Sequence, residues 1–260
     1  LDPIQFLGEN LGFRGAFRTA DRLFDRGLSL EPGNPEMRAW KVRNLVDLDR
    51  DPARARRLAE EVALDPARLE ESIVLTRLSH FERDFERAGE TWGDWQDPSA
   101  MMRSVRWLWE ARHDRFAGEP AAAAADSALR VIDGSALGRV ADATFRGWAH
   151  ALADRPAAAL PHLERAERLI LSWDDHVDPT RWALDVVDAY GLLGETERGF
   201  ALLDELVDRP STVLSVALLE LDPRLDPYRD DARYDELIER RERFEAEAAR
   251  WAEANGPWLP

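Results

Sequence analysis

Residues 7–35, LGENLGFRGAFRTADRLFDRGLSLEPGNP, contain the pattern that decides the fold. Gly8 and Ala20 are small, and the larger Phe24 follows Ala20 after one helical turn. Small residues at such intervals allow two antiparallel helices to approach closely, while the larger side chains fill the space beside them. Pro32 cannot continue a helix, so it ends the second helix and starts the next unit. The stretch predicts a helix–turn–helix unit.

The same pattern recurs along the chain. Pro66 lies 34 residues after Pro32. The positions that repeat are apolar or small: Leu7, Leu11, Gly15 and Leu28; Val42, Leu45, Leu58 and Val62; Trp107, Ala111, Gly118, Ala123 and Val131; Gly147, His150, Ala159 and Leu163; Val187, Tyr190, Gly194, Gly199 and Leu203. Residues 68–100 match poorly but keep helical spacing. A helix pair repeated about every 34 residues resembles the tetratricopeptide repeat (TPR) family.

This resemblance implies an all-α fold, a right-handed superhelical solenoid of about six TPR-like helix pairs plus a C-terminal capping helix. The expected repeats and the cap form one domain, residues 1–260: 1–34, 35–67, 68–100, 104–137, 140–172, 180–212 and cap 213–260. No alternating β-branched run bounded by hairpin turns argues for strands. The segment 172–180 is an insertion before the last repeat.

The tail at residues 218–234, LLELDPRLDPYRDDARY, carries a second resemblance. It is similar to the end of the TPR region of bacterial multidomain signalling proteins, in which the array follows an adenylate cyclase, a Ser/Thr kinase or a winged-helix regulator. Ala232 replaces the proline that this family usually has before its Arg-aromatic pair. The resemblance implies a sensor or docking region, and we find none of those upstream domains in this chain. We interpret it as a piece of a longer protein.

The charge and composition of the chain limit the classes of partner that we expect it to bind. The 260 residues carry a formal net charge of −16 and no cysteine. Such a surface repels a phosphate backbone or an anionic membrane, so we expect neither nucleic acid nor membrane insertion. No apolar run approaches the ~20 residues that span a bilayer. Without thiols there is no disulfide and no thiolate chemistry. We expect a cytoplasmic setting, with the periplasm as the alternative if a transmembrane segment precedes this chain.

Candidates for catalysis and metal binding are weak. The five histidines do not show the paired spacing of a helical zinc site. Asp174-Asp175-His176 lies in the insertion, where acidic residues also simply solvate a loop. No nucleophile elbow, phosphate-binding loop or dinucleotide fingerprint occurs. We therefore expect no enzyme activity, no metal and no cofactor.

A concave groove lined by the first helices is the expected binding surface. One register of these helices selects Glu9, Arg43, Arg112, Trp148 and Asp188, and the positions one turn earlier are Gln5, Ala39, Leu108, Thr144 and Leu184. From these we predict a peptide-binding set of Gln5, Glu9, Arg43, Leu108, Arg112, Trp148, Leu184 and Asp188. Arginine in this groove would suit an acidic or C-terminal carboxylate partner, although solvated surface charges produce the same pattern. Trp148 is either a groove anchor or packing between helix pairs.

The function that we expect is a protein- or peptide-docking module that regulates, localises or oligomerises an attached signalling domain. A small-molecule or peptide sensing domain is the alternative, and an unrecognised all-helical enzyme is the third. The groove and the 172–180 insertion remain competing sites.

Overall fold

The computed structural model describes residues 3–93, 99–172, 178–211 and 214–255. Within these ranges there are helices and no strand, as expected for an all-α protein. The α-helices are α1 (Pro3–Phe13), α2 (Phe17–Leu30), α3 (Pro35–Asp49), α4 (Pro52–Glu61), α5 (Leu69–Phe81), α6 (Phe85–Gly93), α7 (Ala100–Ala117), α8 (Ala122–Asp133), α9 (Arg139–Leu152), α10 (Pro156–Leu171), α11 (Asp178–Leu192), α12 (Thr196–Leu206), α13 (Val216–Leu221) and α14 (Ala232–Asn255). A 3-10 helix spans Pro223–Tyr228.

Successive helices form pairs, from α1–α2 to α11–α12, and α7, α9 and α11 begin before the predicted repeat starts at residues 104, 140 and 180. The pair α5–α6 forms in residues 68–100, where the sequence pattern is weak. Asn-Pro and Asp-Pro pairs set two of the helix starts: Asn34 and Asp51 accept hydrogen bonds of 3.0 Å from the backbone N–H of Met37 and Arg54. Proline follows each cap because its missing N–H would have no partner there.

The chain divides into two compact units. Unit 1 consists of residues 1–95, 207–223 and 235–260, and unit 2 consists of residues 96–206 and 224–234. In unit 1, α3 packs on both α1 and α5, and in unit 2, α9 packs on both α7 and α11. The first helices of neighbouring pairs therefore contact one another in each unit. The prediction of a single domain remains a prediction.

The small residues of the pattern lie at close helix contacts. A Cβ atom added to Gly8 would lie 2.8 Å from Cε1 of Phe24, and one added to Gly147 would lie 2.5 Å from Cδ2 of Leu163. Ala20 is fully buried in unit 1. The close approach expected between paired helices is therefore present in both units.

The C-terminal segment was expected to cap the end of the array, and the structure divides it between the units. The 3-10 helix closes the pair α11–α12: the Tyr228 hydroxyl donates to the carbonyl of Val187 at 2.6 Å. The following helix α14 instead belongs mostly to unit 1, where Ala252 joins the buried cluster around Leu11 and Phe24. Helix α13 packs on α3. Residues distant in sequence thus complete unit 1.

Candidate functional site

In unit 2, the structure brings three predicted groove residues together in the interior. The Arg112 guanidinium donates to Oδ1 of Asp188 at 2.7 Å, and the Trp148 indole N–H donates to Oδ2 of the same carboxylate at 2.8 Å. Their exposed fractions are 5% for Arg112, 1% for Asp188 and 1% for Trp148. Asp188 therefore occupies the place beside Arg112 that we expected an incoming carboxylate to take.

The neighbours of this cluster are buried or partly buried. Leu108 and Leu184 are core residues, and the Arg112 guanidinium lies 3.7 Å from the centroid of the Phe116 ring. Trp109 packs edge-on against Trp148, with ring centroids 5.4 Å apart. The sequence analysis assigned Arg112, Trp148 and Asp188 to an open peptide-binding groove, and in the structure these side chains contact one another in the interior. The sequence pattern did not show that the neighbouring helices lie close enough for these side chains to contact each other. A binding partner would have to displace these contacts.

Burial also sets the protonation of this interior. Burial and, to a smaller extent, the adjacent positive charge of Arg112 together lower the pKa of His113 to about 4. His113 is therefore neutral at pH 7. A second buried ion pair joins Arg224 to Asp185 at 3.1 Å.

In unit 1, the remaining predicted residues lie on the first helices, where Gln5 is buried and Glu9 and Arg43 are partly exposed. The Gln5 side chain donates to Glu9 at 2.8 Å and to Glu36 at 2.7 Å, which links α1 to α3. Burial raises the pKa of the half-buried Glu9; the hydrogen bond from Gln5 opposes this, and the nearby Glu36 and Glu70 carboxylates raise the pKa further. This part of the first-helix face is strongly acidic.

Arg43 lies over aromatic rings beside this acidic patch. Its guanidinium carbon is 4.7 Å from the centroid of the Trp40 ring and 5.9 Å from that of Phe13. The two rings meet edge-on, with centroids 5.4 Å apart. All three residues are partly exposed. A cation over ring faces is held by the electrostatic attraction of the π system.

A cavity of about 20 Å³ opens between α1, α3 and the residues Ser211, Leu214 and Ser215. We call it the α1–α3 cavity. It is lined by backbone, rings and polar groups: Gly8, Glu9, Gly12, Phe13, Phe17, Phe24, Trp40, Arg43, Asn44, Asp47, Ser211, Leu214 and Ser215. Two predicted groove residues, Glu9 and Arg43, belong to this set. The unit 1 part of the expected groove is therefore a recess with polar and aromatic walls.

Hydrogen bonds hold Ser211 and Ser215, on the C-terminal segment of the cavity wall, in place. The Ser211 N–H donates to the carbonyl of Phe13 at 2.9 Å, and the Ser215 hydroxyl donates to Oδ1 of Asp47 at 2.6 Å. Helix α14 supports the same segment, because Arg241 donates to the carbonyl of Arg209 at 2.7 Å and Glu245 accepts from the N–H of Val216 at 2.9 Å. Residues remote in sequence thus shape the cavity.

A second, wider recess of about 300 Å³ lies beside α14. We call it the α14 recess. Its lining is mostly apolar, with one cation and one carboxylate: Leu11, Arg14, Ala16, Pro210, Phe244, Glu247, Ala248 and Trp251. Trp251 is 57% exposed.

Sequence reasoning missed Gly12, Trp40, Asn44 and Asp47. Asn44 and Gly12 had a usable signal, because both residue types are unfavourable inside a helix and their presence there calls for a reason. Nothing in the sequence indicated that Ser211 and Ser215 would reach α1 and α3. The competing candidate site was the insertion, and its residues 173–177, including His176, lie outside the described residues.

Comparisons with protein-family models, curated proteins and solved structures found no match for this chain. Among the described residues, no helix has both the length and the apolar character needed to cross a membrane. The same residues contain no group of three or more His, Asp or Glu side chains placed to hold a metal ion.

Proposed function

We propose that the helix pairs are TPR repeats wound in a right-handed sense, and that the chain is a docking module for a polypeptide segment of another protein. The observation that carries the proposal is the first-helix face of unit 1. There, Phe13, Trp40 and Arg43 are partly exposed around a cavity, next to Glu9. Aromatic residues and arginine beside a recess are the usual anchors of protein interfaces.

The position of this surface also supports docking. First helices of successive pairs line one face of TPR arrays, and α1, α3 and α5 are in contact in that order. The resemblance of the tail to signalling proteins suggests a role for such a surface. It would recruit a partner protein to an attached signalling domain, or it would regulate that domain.

Selection from a random twelve-residue peptide display library, with the intact chain as bait, tests this proposal. Peptides selected on the wild-type chain should bind the Arg43→Ala variant about tenfold more weakly, since a contact worth ~1.4 kcal/mol is lost. Arg57→Ala, an exposed arginine on α4, is the matched control and should bind normally. If both variants bind like wild type, the first-helix face of unit 1 is not the docking surface.

The α14 recess favours a second candidate, the sensing of a small molecule. Its volume of about 300 Å³ and its apolar lining match the lower range of ligand pockets. A crystallographic fragment screen should then place compounds between Phe244 and Trp251. The variant Ala248→Trp, which fills the recess, should lose them. Compounds that bind this variant equally well would exclude the α14 recess.

A further inference from the structure

Asn44 carries a buried acceptor without a partner among the described residues. Its side chain is 4% exposed, and Oδ1 receives no hydrogen bond there. Its amide nitrogen donates to the carbonyl of Phe17 at 2.9 Å. This bond fixes the orientation of the amide, because a flipped side chain would place two oxygens against each other. A buried acceptor that lacks a hydrogen-bond donor destabilises the folded state, so the site favours a donor from outside.

The backbone leaves room for such a donor. Gly12 faces Asn44 across the α1–α3 cavity, and a Cβ atom added to Gly12 would lie 3.7 Å from Oδ1. The cavity of about 20 Å³ holds one group the size of a water molecule. An ammonium group has this size, whereas a guanidinium is a wide planar fork. The space therefore discriminates between the two basic side chains.

The charges around the cavity favour a cation. Glu9 and Asp47 line it, and Glu36 and Glu70 lie close enough to Glu9 to repel its charge. The positive charge of Arg43 is the opposing contribution in the lining. Asp47 already accepts from Arg77 at 2.6 Å, so the acidic excess lies at Glu9, Glu36 and Glu70. A neutral donor such as water would satisfy Asn44 but would leave this excess uncompensated.

We propose that the α1–α3 cavity binds the ammonium group of a lysine side chain from a partner polypeptide, with Oδ1 of Asn44 as the acceptor and the acidic patch around Glu9 as the counter-charge. This inference rests on the docking function proposed above. The chain does not supply the lysine itself: Lys41 is its one lysine, and that ammonium pairs with Asp21 at 2.7 Å and with Asp25 at 2.9 Å.

Titration of the intact chain with n-butylammonium, followed by the side-chain amide resonances of Asn44 at 150 mM salt, tests the cavity directly. We expect saturable shifts with wild type and with Gly33→Ala, a glycine variant remote from the cavity whose added methyl meets nothing within 4 Å. Gly12→Ala places a methyl group in front of Oδ1 and should weaken binding at least tenfold. Glu9→Gln should weaken it severalfold.

Three results would overturn the proposal. N-butylguanidinium could bind as tightly as n-butylammonium, Gly12→Ala could bind like wild type, or the titration could produce no saturable shift while a crystal soaked with n-butylammonium shows only water at Asn44. The last result would assign the cavity to a structural water.

The display-selected peptides separate this inference from the docking proposal. Replacing the key lysine of a selected peptide by norleucine or arginine should weaken binding at least tenfold. If selected peptides contain no lysine but still lose affinity to Arg43→Ala, docking stands and the lysine inference fails. If n-butylammonium binds but no peptide is ever selected, the docking proposal fails, and the partner lysine fails with it.

Discussion

Gly8 and Gly12 lie one turn apart on α1 and are predicted to respond to alanine in opposite ways. Gly8→Ala should destabilise the chain by roughly 1–3 kcal/mol, because its new methyl would meet the buried ring of Phe24. Gly12→Ala should stabilise it by up to about 1 kcal/mol, because alanine is the better helix former and the space is open. Urea unfolding of both variants measures this. Equal effects of the two substitutions would contradict the packing of α1 on α2.

Arg112 is predicted to matter for stability. Arg112→Leu leaves Asp188 buried without its cation, which typically costs about 3–5 kcal/mol. The double variant Arg112→Leu/Asp188→Leu should recover most of this loss, because no uncompensated charge remains. Denaturant unfolding of the single and double variants forms the test. If Arg112→Leu leaves the free energy of unfolding unchanged, the Arg112–Asp188 ion pair is not buried in solution.

Helix α7 should make unit 2 sensitive to acid through His113. Its pKa in the folded state is about 4, below the usual ~6.5 of the unfolded chain. As the pH falls from 7, the unfolded state therefore binds more protons at His113 than the folded state does, and the free energy of unfolding decreases. We expect a loss of about 2 kcal/mol between pH 7 and pH 5, measured as the change in unfolding free energy of wild type relative to His113→Leu. A difference that is constant with pH would refute the burial of His113.

Helix α14 should give unit 1 the opposite response through Glu245. Burial raises the pKa of this carboxyl to about 7, although the charge of Arg241 opposes the shift. The folded state therefore binds more protons than the unfolded state, so stability from this group is full below about pH 4.5 and is lost as the pH rises through 7. Relative to Glu245→Gln, the free energy of unfolding of wild type should increase by about 2–3 kcal/mol as the pH is lowered from 8 to 5. The reverse trend in urea unfolding would contradict the burial of Glu245.

The tertiary organisation predicts which end of the chain a C-terminal deletion damages. Residues 235–255 follow unit 2 in sequence but complete unit 1, where Ala252 packs near Leu11 and Arg241 holds the carbonyls of Val207 and Arg209. Deleting them should expose the N-terminal helices. Hydrogen exchange should therefore accelerate in α1–α3 and stay slow in α9–α11. Faster exchange confined to α11 and α12 would instead support a simple cap on the last repeat.

The sequence by itself determined the helices and their pairing. Gly8, Phe24 and Pro32 act through neighbours close in sequence, and local sterics, helix periodicity and proline chemistry can be interpreted from order alone. The same periodicity placed Arg112, Trp148 and Asp188 on one register of the first helices, and their role in binding a peptide stays a prediction.

The tertiary structure decided which of these faces is closed and which keeps a cavity. Asp188 neutralises Arg112 from 76 positions away, and Ser215 bonds to Asp47 from 168 positions away. No periodic pattern encodes such contacts, because they depend on how closely helices pack and where the C-terminal segment returns. Burial placed one predicted set of groove residues in the interior, and it left the buried Oδ1 of Asn44 without a hydrogen-bond donor among the described residues. Desolvation has this effect only after segments distant in sequence have packed together.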